Sequence, residues 1–147
     1  MQRLTQGPLA VLAQARGADL WLDGGHNPHA ARALAANVGA MAGRDGRPVV
    51  LIVGLVARKD ADGVFAALSD LAAPVFTTGF ASPLAADPNV LATAAAVRGL
   101  TAIACPDVTE ALTQALAAPG PPPHVLICGS LYLAGEVLSL SPQTWPT

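Results

Sequence analysis

The sequence has few charged residues and few aromatic ones. Only 12% of its 147 residues are Asp, Glu, Lys or Arg, aromatic residues make up 4%, and Lys59 is the single lysine. Eight basic residues against ten acidic ones give a formal net charge of −2. Because this charge balance provides no basic stripe of the kind that binds a phosphate backbone, we expect no nucleic-acid partner.

Cysteines and uninterrupted hydrophobic runs are also scarce. Cys105 and Cys128 lie beside apolar runs without CxxC spacing, so we expect buried small side chains rather than a metal site or a disulfide. The uncharged run 111–135 is interrupted by proline and glycine at 119–123, which excludes a continuous membrane-spanning helix. The N-terminus has no apolar stretch of signal-peptide length. We expect a cytoplasmic protein with no membrane partner.

Hydrophobic residues, by contrast, are abundant. They make up 52% of the chain, and the mean hydropathy is +0.47. This is enough apolar material for one well-buried core, and the chain is too short for two ordinary domains. We therefore expect residues 1–147 to form one monomeric domain, with 143–147 as a tail.

Short apolar runs alternate with alanine-rich segments of helix length, a pattern that predicts an α/β fold with a parallel sheet covered by helices. The runs 49–53 and 125–128 are apolar throughout, as is typical of central strands buried on both faces. The six predicted strands are 8–13, 19–23, 48–54, 74–78, 101–105 and 124–129.

Side chains that can cap a helix N-terminus mark five helix starts. The predicted helices run from Asn27 to about residue 43, from Asp60 or Asp62 to about 72, from Asp87 to about 99, and onward from Asp107 and Ser130. Residues 118–123 are predicted to form a rigid surface connection.

Polar side chains follow three of the predicted strands. In an open α/β sheet, ligands bind beyond the carboxyl ends of the strands, because helix N-termini with free N–H groups converge there. Asp23 and His26 would face one crevice, while Gly24 and Gly25 would let the backbone turn sharply. We expect one shared site built from three connections, residues 23–28, 54–60 and 129–132.

Each candidate residue also has a structural interpretation. Asp23 and His26 fit a nucleotide or substrate contact, but equally a turn cap and a covered helix end. Lys59 fits a phosphate contact or a solvated loop, since no GxxxxGK[ST] pattern is present. Ser130 fits an anion-binding turn or a helix cap. With His29, the spacing of Asp23 and His26 matches no known metal site, so no metal ligands are expected.

Three segments resemble motifs of the folylpolyglutamate synthase and dihydrofolate synthase family. Residues 22–31 (LDGGHNPHAA) resemble its LDGAHNP segment, 53–60 (VGLVARKD) its VxGxxxxKD segment, and 128–137 (CGSLYLAGEV) its TGSLYLVGEV segment. The resemblance implies the C-terminal domain of a Mur ligase superfamily enzyme. It also implies a Rossmann-like three-layer sandwich with about six mostly parallel strands flanked by helices.

The resemblance further implies an activity. Enzymes of the family activate a dihydropteroate or folate carboxylate as an acyl phosphate with ATP and magnesium, and the amine of L-glutamate then attacks. They bind the nucleotide on a central P-loop domain that this sequence lacks, so we expect the isolated chain to be inactive and the magnesium ligands to lie elsewhere. The expected partners are ATP, glutamate, folate or dihydropteroate, and that missing domain. A family arginine would fall just before Met1, because Gln2 matches the residue two positions after it.

The resemblance also implies residue roles. Asp23 matches an aspartate that contacts the nucleotide ribose, and His26 a histidine near the transferring phosphate and the incoming glutamate. Ser130 matches a serine close to the glutamate site. Lys59 and Asp60 match a KD pair, for which phosphate contacts and structural contacts are both open.

Two alternatives remain. One is the C-terminal domain of a peptidoglycan Mur ligase, which the GSLYLAGEV segment disfavours. The other is a non-catalytic nucleotide-binding or interaction module that keeps the fold. A P-loop domain encoded upstream and in frame would favour a ligase over such a module.

Overall fold

Six strands form one sheet between two layers of helices in the computed structural model, which describes residues 1–140. The strands are β1 (Gln2–Leu4), β2 (Asp19–Leu22), β3 (Val49–Val53), β4 (Val75–Thr78), β5 (Ala102–Cys105) and β6 (His124–Cys128). Their spatial order is β1-β2-β6-β3-β4-β5, and every neighbouring pair is parallel except β1 and β2. The predicted three-layer α/β architecture is confirmed.

The helices divide evenly between the two faces of the sheet. They are α1 (Pro8–Ala15), α2 (Pro28–Asp45), α3 (Ala61–Leu68), α4 (Pro88–Val97), α5 (Val108–Ala117) and α6 (Leu131–Ser139). Helices α1, α5 and α6 pack on one face, and α2, α3 and α4 pack on the other. No helix within residues 1–140 is long and apolar enough to cross a membrane.

The strands β3 and β6 lie side by side at the centre of the sheet, as their apolar sequences predicted. Leu51 pairs with Leu126, and Ile52 pairs with Ile127. The two leucines face α2, α3 and α4, whereas the two isoleucines face the opposite helix layer, and all four are fully buried. A strand covered on both faces needs apolar side chains at every position, which explains the absence of alternation.

The strand predicted at 8–13 is wrong, because this segment forms helix α1. Its buried residues recur at helical spacing, while Val11 between them is 62% exposed. Proline occupies the first turn, where a missing N–H costs nothing, and the following leucines and alanines favour a helix. A short apolar run does not by itself distinguish a strand from a helix. The buried residues of α1 are Leu9, Ala10 and Ala13.

The sixth strand is instead β1, which pairs antiparallel with β2 at the edge of the sheet. It has only three residues, two of them polar, so it carries no periodic pattern that a reader of the sequence could recognise. Arg3 on β1 lies opposite Trp21, and its guanidinium donates to Asp19 at 2.8 Å.

The five predicted helix starts are confirmed, with Asp60 rather than Asp62 as the cap of α3. Each capping side chain accepts a hydrogen bond from a backbone N–H in the first turn of its helix. Helix α2 extends two residues past its predicted end, and α3 ends at Leu68 and continues as a 3-10 turn over Ser69–Leu71. The predicted tail at 143–147 lies outside the described residues. The caps are Asn27, Asp60, Asp87, Asp107 and Ser130.

Arg47 connects several segments at the amino ends of the strands. Its guanidinium donates to Asp19 at 2.8 Å and to the carbonyl oxygens of Pro122 and Pro123 at 2.9 and 3.1 Å. These bonds hold the proline-rich connection before β6 against the sheet. The predicted rigid connection is therefore fastened by one arginine as well as by its prolines.

His124 lies beside this arginine and is only 4% exposed. Its Nε2 is 2.6 Å from Asp45 Oδ2, and Trp21 Nε1 donates to its Nδ1 at 3.4 Å. Because Nδ1 accepts, the proton of the neutral imidazole belongs on Nε2, where it is donated to the carboxylate. Burial of a polar ring is tolerated here because both nitrogens have partners.

We predict that this network makes folding sensitive to acid. Burial raises the pKa of Asp19, but the hydrogen bond from Arg47 and the charges of Arg3 and Arg47 outweigh it and lower the pKa below 3.8. The backbone N–H of Arg47 lowers the pKa of Asp45 below the same value, and His124 adds to this effect. A carboxylate with a lowered pKa stabilises the fold fully above its unfolded value and loses this contribution as the pH falls through its folded value.

The unfolding free energy should therefore decline as the pH falls below 3.8, and Asp19→Asn should make that decline shallower. Denaturant titrations at a series of pH values measure it. Asp70→Asn, at an exposed position on the 3-10 turn, is the control. An identical pH slope in both variants would contradict the prediction.

Candidate functional site

A pocket of about 140 Å³ opens at the carboxyl ends of the strands. Three of the residues predicted to share a site, His26, Lys59 and Ser130, line this pocket together. Asp23 and Asp60 do not line this pocket, although they belong to the same connections. The complete lining is His26, Val56, Lys59, Ser130, Leu131 and Tyr132.

His26 contributes a buried ring nitrogen to the site. Its Nδ1 is buried and has no hydrogen-bond partner among residues 1–140. Leaving such an atom unpaired costs about 1–3 kcal/mol, and most buried polar atoms in folded proteins are paired. Because the His26 side chain also lines the pocket, its ring is within reach of a ligand there.

Asp23 closes the turn after β2. Its Oδ1 accepts from the backbone N–H of Gly25 at 2.7 Å, and its Oδ2 lies 2.9 Å from the amino group of Met1. Its own N–H donates to the carbonyl oxygen of Ile127 on β6. Asp23 therefore caps the turn. A ligand that contacted its carboxylate would share it with the N–H of Gly25.

Gly24 and Gly25 serve a different purpose from the one expected. Neither has a positive φ, so the turn itself does not require glycine. A Cβ at Gly24 would lie 2.6 Å from Leu131 Cδ2, and one at Gly25 would lie 2.9 Å from Ala30 Cβ. A Cβ at either position would require a neighbouring side chain to shift, because the starts of α2 and α6 crowd this connection.

The residues of the Lys59–Asp60 pair have separate roles. Asp60 Oδ1 accepts from the N–H of Gly63 at 2.9 Å, so its carboxylate caps α3. Lys59 lines the pocket and is exposed to solvent. A Cβ at Gly63 would lie 2.8 Å from Pro28 Cγ, so this glycine lets the starts of α2 and α3 meet. Sequence reasoning missed Gly63, whose only local signal is a poor helix former in a first turn.

Ser130 caps α6 and also lines the pocket. It is 1% exposed, its Oγ accepts from the backbone N–H of Tyr132 at 3.0 Å, and it lines the pocket. The hydroxyl proton is not used in this cap, since Oγ acts there as an acceptor. The serine can therefore cap α6 and donate to a ligand at the same time.

Two glycines allow the strand ends beneath Ser130 to approach each other. Gly129 has φ +113°, and a Cβ there would lie 2.5 Å from the carbonyl oxygen of Gly54. A Cβ at Gly54 would in turn lie 3.0 Å from the carbonyl oxygen of Thr78. The ends of β3, β4 and β6 are consequently packed backbone to backbone, directly before Ser130 in the chain.

Val56 and Tyr132 also line the pocket; both lie in connections predicted to form the site, but neither was predicted individually as a site residue. Tyr132 is 53% exposed, and its ring is parallel to that of Phe80, with centroids 6.2 Å apart. Val56 forms an isolated antiparallel bridge with Ala85. Both contacts come from the connection between β4 and α4, in which the sequence shows no chemistry-bearing motif.

A family model described as "Mur ligase, glutamate ligase domain" matches residues 9–131, which include nearly all of this site. The chain belongs to the Mur ligase family. A comparison with curated protein sequences gave no significant match.

Several solved structures of folate enzymes are similar to this Mur ligase domain. Mycobacterium tuberculosis folylpolyglutamate synthase, solved with ADP and AMPPCP, is 27% identical with a TM-score of 0.70, and the match covers 84% of this chain and 30% of that chain. The Yersinia pestis bifunctional folylpolyglutamate synthase/dihydrofolate synthase, solved with AMPPNP and Mn, is 29% identical with a TM-score of 0.68, over 82% and 28% of the two chains.

A further bifunctional enzyme of this kind was solved with Mn, AMPPNP and L-glutamate bound. It is 30% identical with a TM-score of 0.69, over 83% of this chain and 28% of that one. The Mur ligase domain described here thus spans less than a third of the length of the enzymes it matches.

The polar groups that line the pocket of this Mur ligase domain are the imidazole of His26, the ammonium group of Lys59, and the hydroxyls of Ser130 and Tyr132. Burial, with the nearby charge of Asp23, raises the pKa of the Cys128 thiol to about 12, so it is no nucleophile at neutral pH. Cys105 is buried as well, as expected. Among residues 1–140, no three His, Cys, Asp or Glu side chains are grouped as metal ligands.

We predict that the close contact between Gly129 and Gly54 in this Mur ligase domain cannot accommodate a side chain. Gly129→Ala should destabilise the fold by about 2 kcal/mol or more, because it combines a positive φ with a backbone clash. Gly135→Ala is the matched control within α6, since nothing lies within 4 Å of its Cβ position. It should stabilise the helix by up to about 1 kcal/mol. Denaturant unfolding measures both, and equal effects would contradict the prediction.

Proposed function

We propose that this chain is the C-terminal domain of a folylpolyglutamate synthase or dihydrofolate synthase. Such a ligase adds L-glutamate to dihydropteroate or to a folate through an acyl phosphate. The observation that carries the proposal is the single pocket in which His26, Lys59 and Ser130 meet. The similarity to an enzyme solved with L-glutamate bound supports it.

The pocket suits an amino acid with two carboxylates. Its volume of about 140 Å³ is smaller than the roughly 300–1,000 Å³ of sites for larger ligands, so it admits an amino acid and not a whole nucleotide. Lys59 supplies positive charge, and the start of α6 presents backbone N–H groups, both of which favour a carboxylate. We infer that Ser130 donates its hydroxyl proton to the same ligand.

In this proposal His26 prepares the amine of glutamate. An amine attacks a carbonyl carbon only when it is neutral, so the ammonium proton has to leave. Imidazole side chains commonly act as general bases in enzymes. His26 is the imidazole that lines the pocket, so its ring lies where the reactants would bind.

ATP would supply the phosphoryl group that activates the carboxylate. The residues of this chain fit only part of such a nucleotide. The proposed ribose contact falls on Asp23, whose Oδ1 already accepts a hydrogen bond from the N–H of Gly25. A magnesium ion does not fit here, since the described residues contain no cluster of three His, Cys, Asp or Glu side chains that could hold it. We therefore propose that the phosphates and the metal are bound by the P-loop domain of a longer ligase.

The role of His26 can be tested in that longer ligase. We predict that His26→Ala lowers kcat by about 100-fold or more, because a positioned general base contributes at least this much, while the melting temperature changes little. Steady-state kinetics and thermal melting of the same preparations measure the two effects. His29→Ala, three residues along in the exposed first turn of α2, is the control and should change neither. Proportionate losses of activity and stability would favour a structural role for His26.

The 147-residue chain alone should fold cooperatively, and it should neither hydrolyse ATP nor ligate glutamate. Phosphoryl transfer depends on hydrogen-bond donors positioned around the phosphates and on a metal ion. The sequence has no GxxxxGK[ST] pattern, and residues 1–140 contain no cluster of metal ligands. Its affinity for Mg-ATP should be millimolar or weaker, equivalent to about 4 kcal/mol or less. Calorimetric titration and a phosphate-release assay measure both properties. Micromolar binding or measurable turnover would show that the active site is complete within this chain.

A further inference from the structure

Glu136 belongs to the segment 128–137 but has no role in the proposed chemistry. It lies on α6, one turn beyond the residues that line the pocket. Its Oε1 accepts a hydrogen bond from the backbone N–H of Ala81 at 2.8 Å, across 55 positions of sequence. The carboxylate therefore joins α6 to the connection between β4 and α4, residues 79–87, which we call the β4–α4 loop.

The β4–α4 loop supports one wall of the pocket through an aromatic contact. Phe80, the neighbour of Ala81, stacks parallel to Tyr132 with an angle of 2° between the ring planes. Tyr132 is otherwise largely exposed at the start of α6. The position of its ring thus depends on where the loop holds Phe80.

The same loop also supports Val56, a second lining residue of the pocket, through its backbone. The N–H of Ala57 donates to Leu84 O at 2.8 Å, and the N–H of Ala86 donates to Leu55 O at 2.8 Å. These two bonds flank Val56, which bridges to Ala85 and lines the pocket. The segment after β3 is therefore fixed by the loop on both sides of the wall residue.

The loop is compact enough to act as one unit. Within it, the N–H of Ser82 donates to Phe80 O at 2.8 Å, and the N–H of Ala85 donates to Ser82 O at 3.2 Å. These bonds connect the end that carries Phe80 to the end that holds Val56. A constraint at Ala81 consequently orients both ends together.

We propose that Glu136 is a positioning residue that sets the width of the pocket. By holding Ala81, it fixes the β4–α4 loop and, through it, the separation of Val56 and Tyr132. A hydrogen bond from a backbone N–H to a carboxylate is stronger than one between neutral groups, which suits a single contact that fixes a whole loop. That this width serves L-glutamate rests on the proposed function.

The first test needs no ligand. In the 147-residue chain, Glu136→Ala should weaken the nuclear Overhauser contacts between Phe80 and Tyr132 and between Val56 and Ala85. It should also accelerate hydrogen exchange at the amides of Ala57 and Ala86 by about 5-fold or more, the loss expected for one hydrogen bond to a charged acceptor. Glu136→Gln should restore these signals, because its amide oxygen accepts in the same place. Glu110→Ala on α5 removes the other glutamate of the chain and should change none of them.

The second test measures the consequence for binding in the longer ligase. Glu136→Ala should raise the KM for L-glutamate by about 5-fold or more, while kcat and the KM for ATP stay within about 2-fold. Glu136→Gln should return the KM to nearly that of the unmodified enzyme. A residue that only stabilised the fold would lower the amount of active enzyme and leave the KM unchanged.

The outcomes separate this inference from the proposed function. Unchanged contacts and exchange in Glu136→Ala would overturn the inference, whatever the enzyme does. Altered contacts with an unchanged KM for L-glutamate would also overturn it, because the pocket width would then not matter for binding. A ligase that does not use L-glutamate would overturn the proposed function, and the contacts and exchange alone would then decide whether Glu136 positions the pocket walls.

Discussion

The close approach of backbone to backbone at the ends of β3 and β6 is the constraint on which the site depends. Gly129 faces the carbonyl oxygen of Gly54 at a distance that no side chain could share. This contact brings the connections after two central strands together, so that Ser130 and Lys59 line the same pocket. The parallel pairing of β3 with β6 holds these two strand ends in register.

The fold was readable from the sequence where burial leaves a local pattern. The strands β3 and β6 are covered on both faces, so their sequences are continuous apolar runs. The helix caps are equally local, since each needs one side chain beside a free N–H. Strand β1 was not predictable, because a three-residue polar edge strand is defined by its partner rather than by its own sequence. Helix α1 was misread because a short apolar run suits both kinds of element.

The residues of the candidate site can likewise be separated into those that the sequence predicted and those that it did not. The positions of His26, Lys59 and Ser130 followed from a general rule about the carboxyl ends of parallel strands. The walls formed by Val56 and Tyr132 did not, because an apolar and an aromatic residue usually indicate packing and because both depend on a loop about 25 to 50 positions away in sequence. Asp60 shows the converse limit, since the sequence left both a phosphate contact and a structural contact open for it, and its carboxylate caps α3.

The contact between Met1 and Asp23 bears on how the isolated chain should be produced. The nitrogen that lies 2.9 Å from Asp23 Oδ2 is a charged ammonium only while nothing is attached to it. Any tag or preceding residue turns it into a neutral peptide nitrogen that can donate one hydrogen bond at most. A tagged preparation and a tagless one would therefore present differently charged surroundings at Asp23. Nucleotide affinities measured on the two would not be interchangeable.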